Sequence, residues 1–353
     1  MSTEEPAAGG ERTDSRAAAV LVALIRFVAT FSGSLLVSVA AAMLVIRWRD
    51  VTTSWGAAAA GLTLFAGLPL VAAGLLALIG GSRSLRAAAV LIGVIYLVTV
   101  SPVNAIVGCG GHRTDDDLSV LTANILRSVA EPEGLAETIA ASDADIVILQ
   151  EVTEPIYRSL QSNELLADYR YWSPLAGAVN FEPRSSVVVV ISKLEAVSTE
   201  RLDVGIAGAA DVIFALPTDD ADDPPRTFTV TGVHLNAPSR QHHVEPWREQ
   251  LATLAKQETG RPGIMAGDFN ATEDHRPFRR LLDQGWVDVH NQKGCGFGLT
   301  FPVDDLLPIP VMRLDHVLVT DHFEVLGVEL VEETNRSDHR PVLAHLRLKD
   351  TAG

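Results

Sequence analysis

No Lys/Arg-rich run occurs anywhere in this chain of 353 residues, and its 28 basic residues are outnumbered by 44 acidic ones. Non-specific nucleic-acid binding works through Lys and Arg that neutralise phosphates and release counterions. The shortage therefore weighs against a bulk nucleic-acid binder. It is also uneven. Through Val107 the chain has seven basic and five acidic residues, a net +2, whereas residues 108–353 hold the remaining 21 basic and 39 acidic ones, a net −18. The excess acid reads first as solubility charge. Cysteine is scarce as well: Cys109 and Cys295 are the only two. They allow one disulfide if this part of the chain is exported, with two free thiols as the alternative. No internal repeat is evident.

Charge is missing altogether from three stretches. Phe27–Ile46 runs 20 residues without a charge, Gly56–Ile79 runs 24 and Ala87–Val107 runs 21. A bilayer crossing takes about 20 apolar residues, so each is long enough. Gly61, Gly67, Pro69 and Gly74 inside the second stretch are tolerated in membrane helices. An alternative start for the first, near Ala17, takes in Arg26 as a snorkelling side chain. Polar faces at helical spacing are lacking, which excludes a soluble bundle, and three full spans in series exclude a cleaved signal peptide. The expected layout is a cytoplasmic tail over 1–26, about three transmembrane helices over 27–107, a polar linker over 108–117 and a second domain over 118–349. Arg12, Arg16, Arg26, Arg83 and Arg86 then share one side, against Arg47, Arg49 and Arg113 on the other. The positive-inside rule puts the amino terminus in the cytoplasm and the second domain outside.

From Leu118 the pattern changes to short strands and amphipathic stretches. Strands are expected at Leu118–Ala123, Asp145–Gln150, Ser186–Ser192, Val212–Leu216, Thr227–His234, Gly263–Ala266, Leu314–Val319 and Val342–Leu348. Helices are expected at Pro132–Ala141, Glu154–Leu166, Glu245–Glu258 and Arg276–Gln284, and a turn at Asp219–Pro225. Many strands with few helices suit two sheets packed face to face with helices outside.

Informative polar residues fall at strand ends. Asn124 closes LTAN, Glu151 follows the apolar DADIVILQ, and His234 and Asn236 end TFTVTGVHLN. Asp268 and Asn270 stand in GDFN, Asp315 and His316 in RLDHVLVT, and Asp338 and His339 in SDHRPV. A carboxylate directly after a buried strand is costly to desolvate unless paired or bound to a cation. Asn124, Glu151 and Asp338 form an oxygen-rich set suited to Mg²⁺ or Mn²⁺. Each motif alone is weak; the joint pattern is not.

In that order LTAN, ILQEV, SKL, VHLN, GDFN, LDHV and SDHRPV resemble the endonuclease/exonuclease/phosphatase superfamily, from Leu118 to about Leu348. SKL stands in place of the family's usual Ser-Arg. The resemblance implies a four-layer α/β/β/α sandwich of the DNase I type and a metal-dependent phosphoesterase. It makes Glu151, Asn124 and Asp338 the metal ligands, and His339 the histidine that contacts the scissile phosphate and transfers a proton. Asp315 would orient His339, Asp268 would activate water, and Asn270 and His234 would donate to phosphoryl oxygens. Thr300, in GLTFP, falls where the family often has a polar active-site residue. Trp172 reads as core or rim, and His112, His242, His243, His275 and His290 as surface histidines.

A catalytic domain about ten residues from a span works close to the bilayer. That favours a lipid-linked phosphoester or pyrophosphate, with membrane lipids as partners, and the chain resembles membrane-anchored bacterial members of the superfamily. The competing expectations are an extracellular DNase I-like endonuclease, which −18 disfavours, and a non-catalytic envelope binding protein, which the complete set of polar positions disfavours. Substrate choice is expected to lie in Tyr169–Arg184, Ala237–Glu245 and Asn291–Pro310.

Overall fold

The structure, a computed structural model, describes residues 10–100, 117–127, 129–173, 187–202, 204, 209–216, 225–294, 296–303 and 309–349. Cys109, Cys295 and His112 lie outside them, as do most of the linker, the turn after Leu216 and most of the loop through Arg184. The chain divides into two units: Met1–Trp48 with Leu62–Ser101, and Arg49–Gly61 with Pro102–Gly353.

The first unit holds α1 (Gly10–Arg47), a 3₁₀ turn (Thr63–Ala66), α3 (Gly67–Gly80) and α4 (Arg83–Val100). Among the described residues, three helical stretches are long and apolar enough to cross a membrane: Arg16–Arg47, Thr63–Gly80 and Arg83–Val100. They meet through small residues, with Ala40, Ala66, Ala73 and Ala77 fully buried, the pattern of helices that approach closely without a water-driven core. Large apolar side chains such as Phe27, Phe31, Leu68, Val71 and Val98 point outward. The second apolar run differs from its expected extent. Gly56–Ile79 is not one helix: Ser54–Gly61 forms a separate helix, α2, that belongs to the other unit.

The second unit is a sandwich of two six-stranded sheets. In chain order its further elements are β1 (Leu118–Asn124), α5 (Pro132–Ser142), β2 (Ile146–Val152), α6 (Glu154–Gln161), β3 (Tyr171–Trp172), β4 (Val187–Ser192), β5 (Ala196–Leu202) and β6 (Ala209–Leu216). Then come β7 (Arg226–His234), α7 (Gln241–Leu254), β8 (Gly263–Asp268), α8 (Arg276–Leu282), β9 (Val287–Asp288), α9 (Val289–Lys293), β10 (Asp315–Val319), β11 (Phe323–Leu330) and β12 (Val342–Leu348). One sheet runs β11-β12-β1-β2-β4-β3, the other β5-β6-β7-β8-β10-β9. All eight expected strands are present. Four further strands were not expected: β5 and β11, which include charged residues such as Glu200 and Glu324, and the two-residue β3 and β9.

The period-2 alternation of strands sorts their side chains. Val120, Ile146, Ile148, Val190, Val212, Phe214, Val230, Ile264 and Val317 fill the space between the sheets. Leu121, Val147, Leu149 and Val189 face the other way and are covered by Leu135 and Ile139 of α5 and by Ile156 and Leu160 of α6. The outside of the second sheet is covered by α7, through Val244, Trp247, Leu251 and Leu254, and by α8, through Phe278 and Leu281. This is the expected α/β/β/α layering. In each sheet a central pair is parallel, β1 with β2 and β7 with β8. Their carboxyl ends therefore open at one end of the sandwich.

Candidate active site

The polar motifs converge at that end. In the second sheet Asp268 is paired in register with His234 on β7 and with Asp315 on β10, so three strand ends set three titratable groups side by side. In the first sheet Asn124 pairs with Gln150, and Glu151 follows at a bulge where the β2–β4 register shifts. Glu151 has a φ of +63°, and Asn270 of +48°. Left-handed backbone at non-glycine residues costs about 1–2 kcal/mol, and here it turns side chains off the strand path into the cleft. The glycine of GDFN has a steric cause: Gly267 has a φ of +148°, and a Cβ there would lie 1.9 Å from the Val233 carbonyl oxygen. No other residue fits where β8 passes so close to β7.

The contacts of each group are specific. His339 Nδ1 lies 2.8 Å from Asp315 Oδ2, which fixes the proton on Nδ1 when the ring is neutral. Its Nε2 faces Asp268 Oδ2 at 3.9 Å and Asp338 Oδ1 at 4.0 Å. His234 Nε2 stands 3.7 Å from Glu151 Oε1 and 3.8 Å from Asp268 Oδ2. Glu151 Oε2 accepts from the Arg127 backbone N–H at 2.9 Å. Asn124 donates through Nδ2 to Asp268 at 3.0 Å and, more weakly, to Glu151 at 3.4 Å, while its Oδ1 accepts from the Leu126 N–H. So the amide nitrogen of Asn124, rather than its oxygen, faces the carboxylates.

The electrostatics describe a site with surplus negative charge. Burial pushes Asp268 upward and Asp315 adds to it, against the pull of His339 and His234. Burial likewise raises Asp338, opposed by His339 and helped by Glu151 and Asp315. Burial alone would lower His339, yet Asp315 and Asp268 outweigh it and hold the imidazole up to about 10. Asp315 Oδ1 is buried with no hydrogen-bond partner among the described residues. Four crowded carboxylates, two of them raised, and an orphaned buried oxygen suit a divalent cation. Carboxylate oxygens of Asp268 and Asp315 and a ring nitrogen of His339 also lie within 4.8 Å of one another. The oxygen-rich donor set fits a hard metal.

The remaining polar residues of the motifs have partners of their own. Asn270 sits at the cleft, but its amide donates to the Leu235 carbonyl at 3.0 Å and to Asp268 at 3.2 Å, so it braces the carboxylate. Thr300 is fully buried, and its Oγ1 accepts from the backbone N–H groups of Leu314 and Asp315. It supports the strand end that carries Asp315. His316 points away from Asp315, as strand alternation requires, with Asp288 Oδ2 and the Ala271 carbonyl at its two nitrogens. Burial would raise Asp288, but Arg313 and His316 hold it below the usual carboxylate range. Asn236 donates its backbone N–H to Gln250 Oε1. SKL falls at the far end of the sheet, where Ser192 pairs with Ile146 and Lys193 reaches Asp143. Trp172 packs edge-on against Tyr157 and donates to the Tyr169 carbonyl.

His242 is exposed and His243 partly so, but His275 is fully buried and His290 half-buried. Burial lowers both to about 4; His275 is filled in by contacts from outside its own motif. Two further residues support the site. Ser337 donates to the Asn124 carbonyl at 2.6 Å and accepts from the His339 N–H, tying two motifs together. The Phe301 ring lies 4.8 Å from that of His339. Ser337 had a signal, its place in SDHRPV; Phe301 had none.

The endonuclease/exonuclease/phosphatase from Bacteroides vulgatus superposes with a TM-score of 0.51 at 18% identity, over 67% of this chain and 100% of that one. The mannosyl-6-phosphatase of Bacteroides thetaiotaomicron gives 0.50 at 18%, over 65% and 99%. The APE2 catalytic domain of Xenopus laevis gives 0.50 at 19%, over 65% and 91%. These likenesses show the fold. No curated protein matches the chain. Residues 121–339 match the Endonuclease/Exonuclease/phosphatase family, whose members are phosphoesterases and nucleases that use divalent metal ions. The chain belongs to this family and is a metal-dependent hydrolase of phosphoester bonds.

Proposed function

We propose that the chain is a membrane-anchored, Mg²⁺-dependent phosphoesterase that hydrolyses a lipid-linked phosphoester or pyrophosphate at the outer face of the cell membrane. The observation that carries the reading is the cluster of Glu151, His234, Asp268, Asp315, Asp338 and His339, on a chain that also holds three long apolar helices among its described residues. Glu151 and Asp338, with Asn124 beside them, would hold the metal; hard oxygen donors favour Mg²⁺, and Mn²⁺ can replace it. When bound, the cation supplies charge neutralisation at the phosphoryl oxygens. The rest is the work of side chains. Asp268, raised by burial, is suited to take a proton from water while staying oriented by Asn124 and Asn270. His339, held by Asp315, presents Nε2 to the cleft as a cationic donor to a phosphoryl or leaving oxygen. His234 offers a second donor. In-line displacement needs this kind of positioning more than covalent chemistry.

The lipid reading draws on the surroundings of the catalytic unit. A segment between the first two apolar helices, Arg49–Gly61, belongs to that unit. This fits three spans, with the first loop and the catalytic domain on one side. Trp55 in that segment is 85% exposed, and Trp favours the membrane–water interface. The net −18 of residues 108–353 opposes a polyanion substrate. The test is a side-by-side assay of full-length protein in detergent, with Mg²⁺, on polyprenyl pyrophosphate, phosphatidylinositol phosphates, sphingomyelin and plasmid DNA. Turnover of a lipid with no nicking of plasmid supports the reading. Plasmid nicking as the dominant activity moves it to the endonuclease.

A further inference from the structure

The segment Arg49–Gly61, which the chain spells between two apolar helices, is built into the catalytic unit by partners 187 to 230 residues away. Gln241 clasps it, donating through Nε2 to the Thr52 carbonyl at 2.9 Å and accepting through Oε1 from the Ser54 N–H at 3.2 Å. Asp50 pairs with Arg280 of α8 at 2.9 Å. Val51, Ala57 and Ala60 are buried. At its centre His275 Nε2 donates to the Ala57 carbonyl at 2.9 Å, and its Nδ1 accepts from the Thr272 N–H at 2.9 Å. A backbone amide must donate and a carbonyl must accept, so both ring nitrogens are committed in one tautomer.

Two loops of the active site rest on this segment. Thr272 is two residues beyond Asn270 and four beyond Asp268, so His275 links α2 to the GDFN turn. Gly61 meets the second loop: a Cβ there would lie 3.3 Å from both His275 Cε1 and Met312 Sδ. The Met312 carbonyl in turn accepts from the N–H groups of Thr300 and Phe301. Thr300 braces the Asp315 strand end and Phe301 lies against the His339 ring. Thus α2 touches both routes into the site, each within a few residues of Asp268 or Asp315.

We propose that Arg49–Gly61 is a strut that positions the active site, with His275 and Gly61 as positioning residues for the hydrolysis. The inference rests on the phosphoesterase reading of the site and is independent of the natural substrate. Catalysis by in-line attack loses about a hundredfold for a displacement near 1 Å, so a strut acting through backbone bonds has leverage on kcat.

The experiment uses the full chain in detergent. Gly61→Leu wedges the strut away, Gln241→Ala unclasps its exposed end, and His275→Gln restores the bond to Ala57 that His275→Asn removes. Turnover of bis(p-nitrophenyl) phosphate with Mn²⁺, Mn²⁺ affinity by electron paramagnetic resonance, and hydrogen exchange at Ala271–His275 are read together. Gly61→Leu is expected to lower kcat roughly ten- to a hundredfold with KM within about twofold. It should weaken Mn²⁺ binding and speed exchange at Ala271–His275. Gln241→Ala should move all three in the same direction by less, and His275→Gln should recover most of what His275→Asn loses. If Gly61→Leu and Gln241→Ala both keep wild-type turnover, Mn²⁺ affinity and exchange, the strut does not position the site. If wild type itself binds Mn²⁺ but turns over nothing, the phosphoesterase reading fails, and the exchange data still decide on the strut.

Discussion

His339 and Asp315 form a buried pair, with Nδ1 2.8 Å from Oδ2, although 24 residues separate them. The pair fixes which imidazole nitrogen faces the cleft and holds His339 up to about 10. Asp315→Asn keeps the shape but removes the charge that supports the imidazolium. Turnover is expected to fall by about 10²–10⁴, the range for a positioned acid–base group. Binding of a product phosphate would change little. The check is kcat and KM at several pH values; unchanged kcat would sink the assigned role.

Glu151 is the carboxylate that a bulge and a positive φ aim into the cleft. Glu151→Gln preserves its size and should weaken divalent-cation binding by at least about tenfold, with activity lost in proportion. Titration calorimetry with Mn²⁺ measures it directly. EDTA should abolish wild-type activity, and added Mg²⁺ should restore it.

His275 is buried and neutral, lowered to about 4 from an ordinary value near 6.5. The fold therefore favours its unprotonated form. Its contribution is complete above about pH 6.5 and is lost as pH falls toward 4, on the order of 3 kcal/mol at full loss. His290 has the same sign. Thermal unfolding from pH 7 to pH 4 should show a steeper fall in wild type than in His275→Gln. Parallel curves would contradict the assignment.

Gly267→Ala adds one methyl group where φ is +148° and the Val233 oxygen is 1.9 Å from the new atom. Backbone strain and overpacking together should destabilise the catalytic unit by about 2–5 kcal/mol. Chemical denaturation reads this as a lower midpoint at unchanged slope.

Trp55 is exposed on a segment that shares a unit with the catalytic domain. In a chain lacking Cys109 and Cys295, Trp55→Cys should react with a membrane-impermeant maleimide added to intact cells. Reaction only after permeabilisation would place the domain in the cytoplasm.

The strands that carry chemistry were legible because they are largely apolar runs with a polar residue at or near the carboxyl end: Leu118–Asn124, Ile146–Val152 and Gly263–Asp268. The edge strand Ala196–Leu202 was not, since it holds charged and small residues on its open side. The Gly56–Ile79 run misled because hydropathy does not distinguish a lipid-facing helix from one buried against protein. Ala57 and Ala60 are apolar for the second reason. The place of Thr300 in GLTFP did not show that its hydroxyl turns inward to brace the backbone at Leu314 and Asp315.

By itself the sequence determined the periodicities, the uncharged spans, the −18 of residues 108–353 and the residue types at the strand ends, since these follow from local composition. Only the tertiary structure decided which of those residues meet. Register between strands far apart in the chain set His234, Asp268 and Asp315 side by side. Packing between elements nearly 220 residues apart brought Ala57 to His275. Long-range contacts of this kind are chosen by the simultaneous burial of many side chains, which no local stretch of sequence encodes.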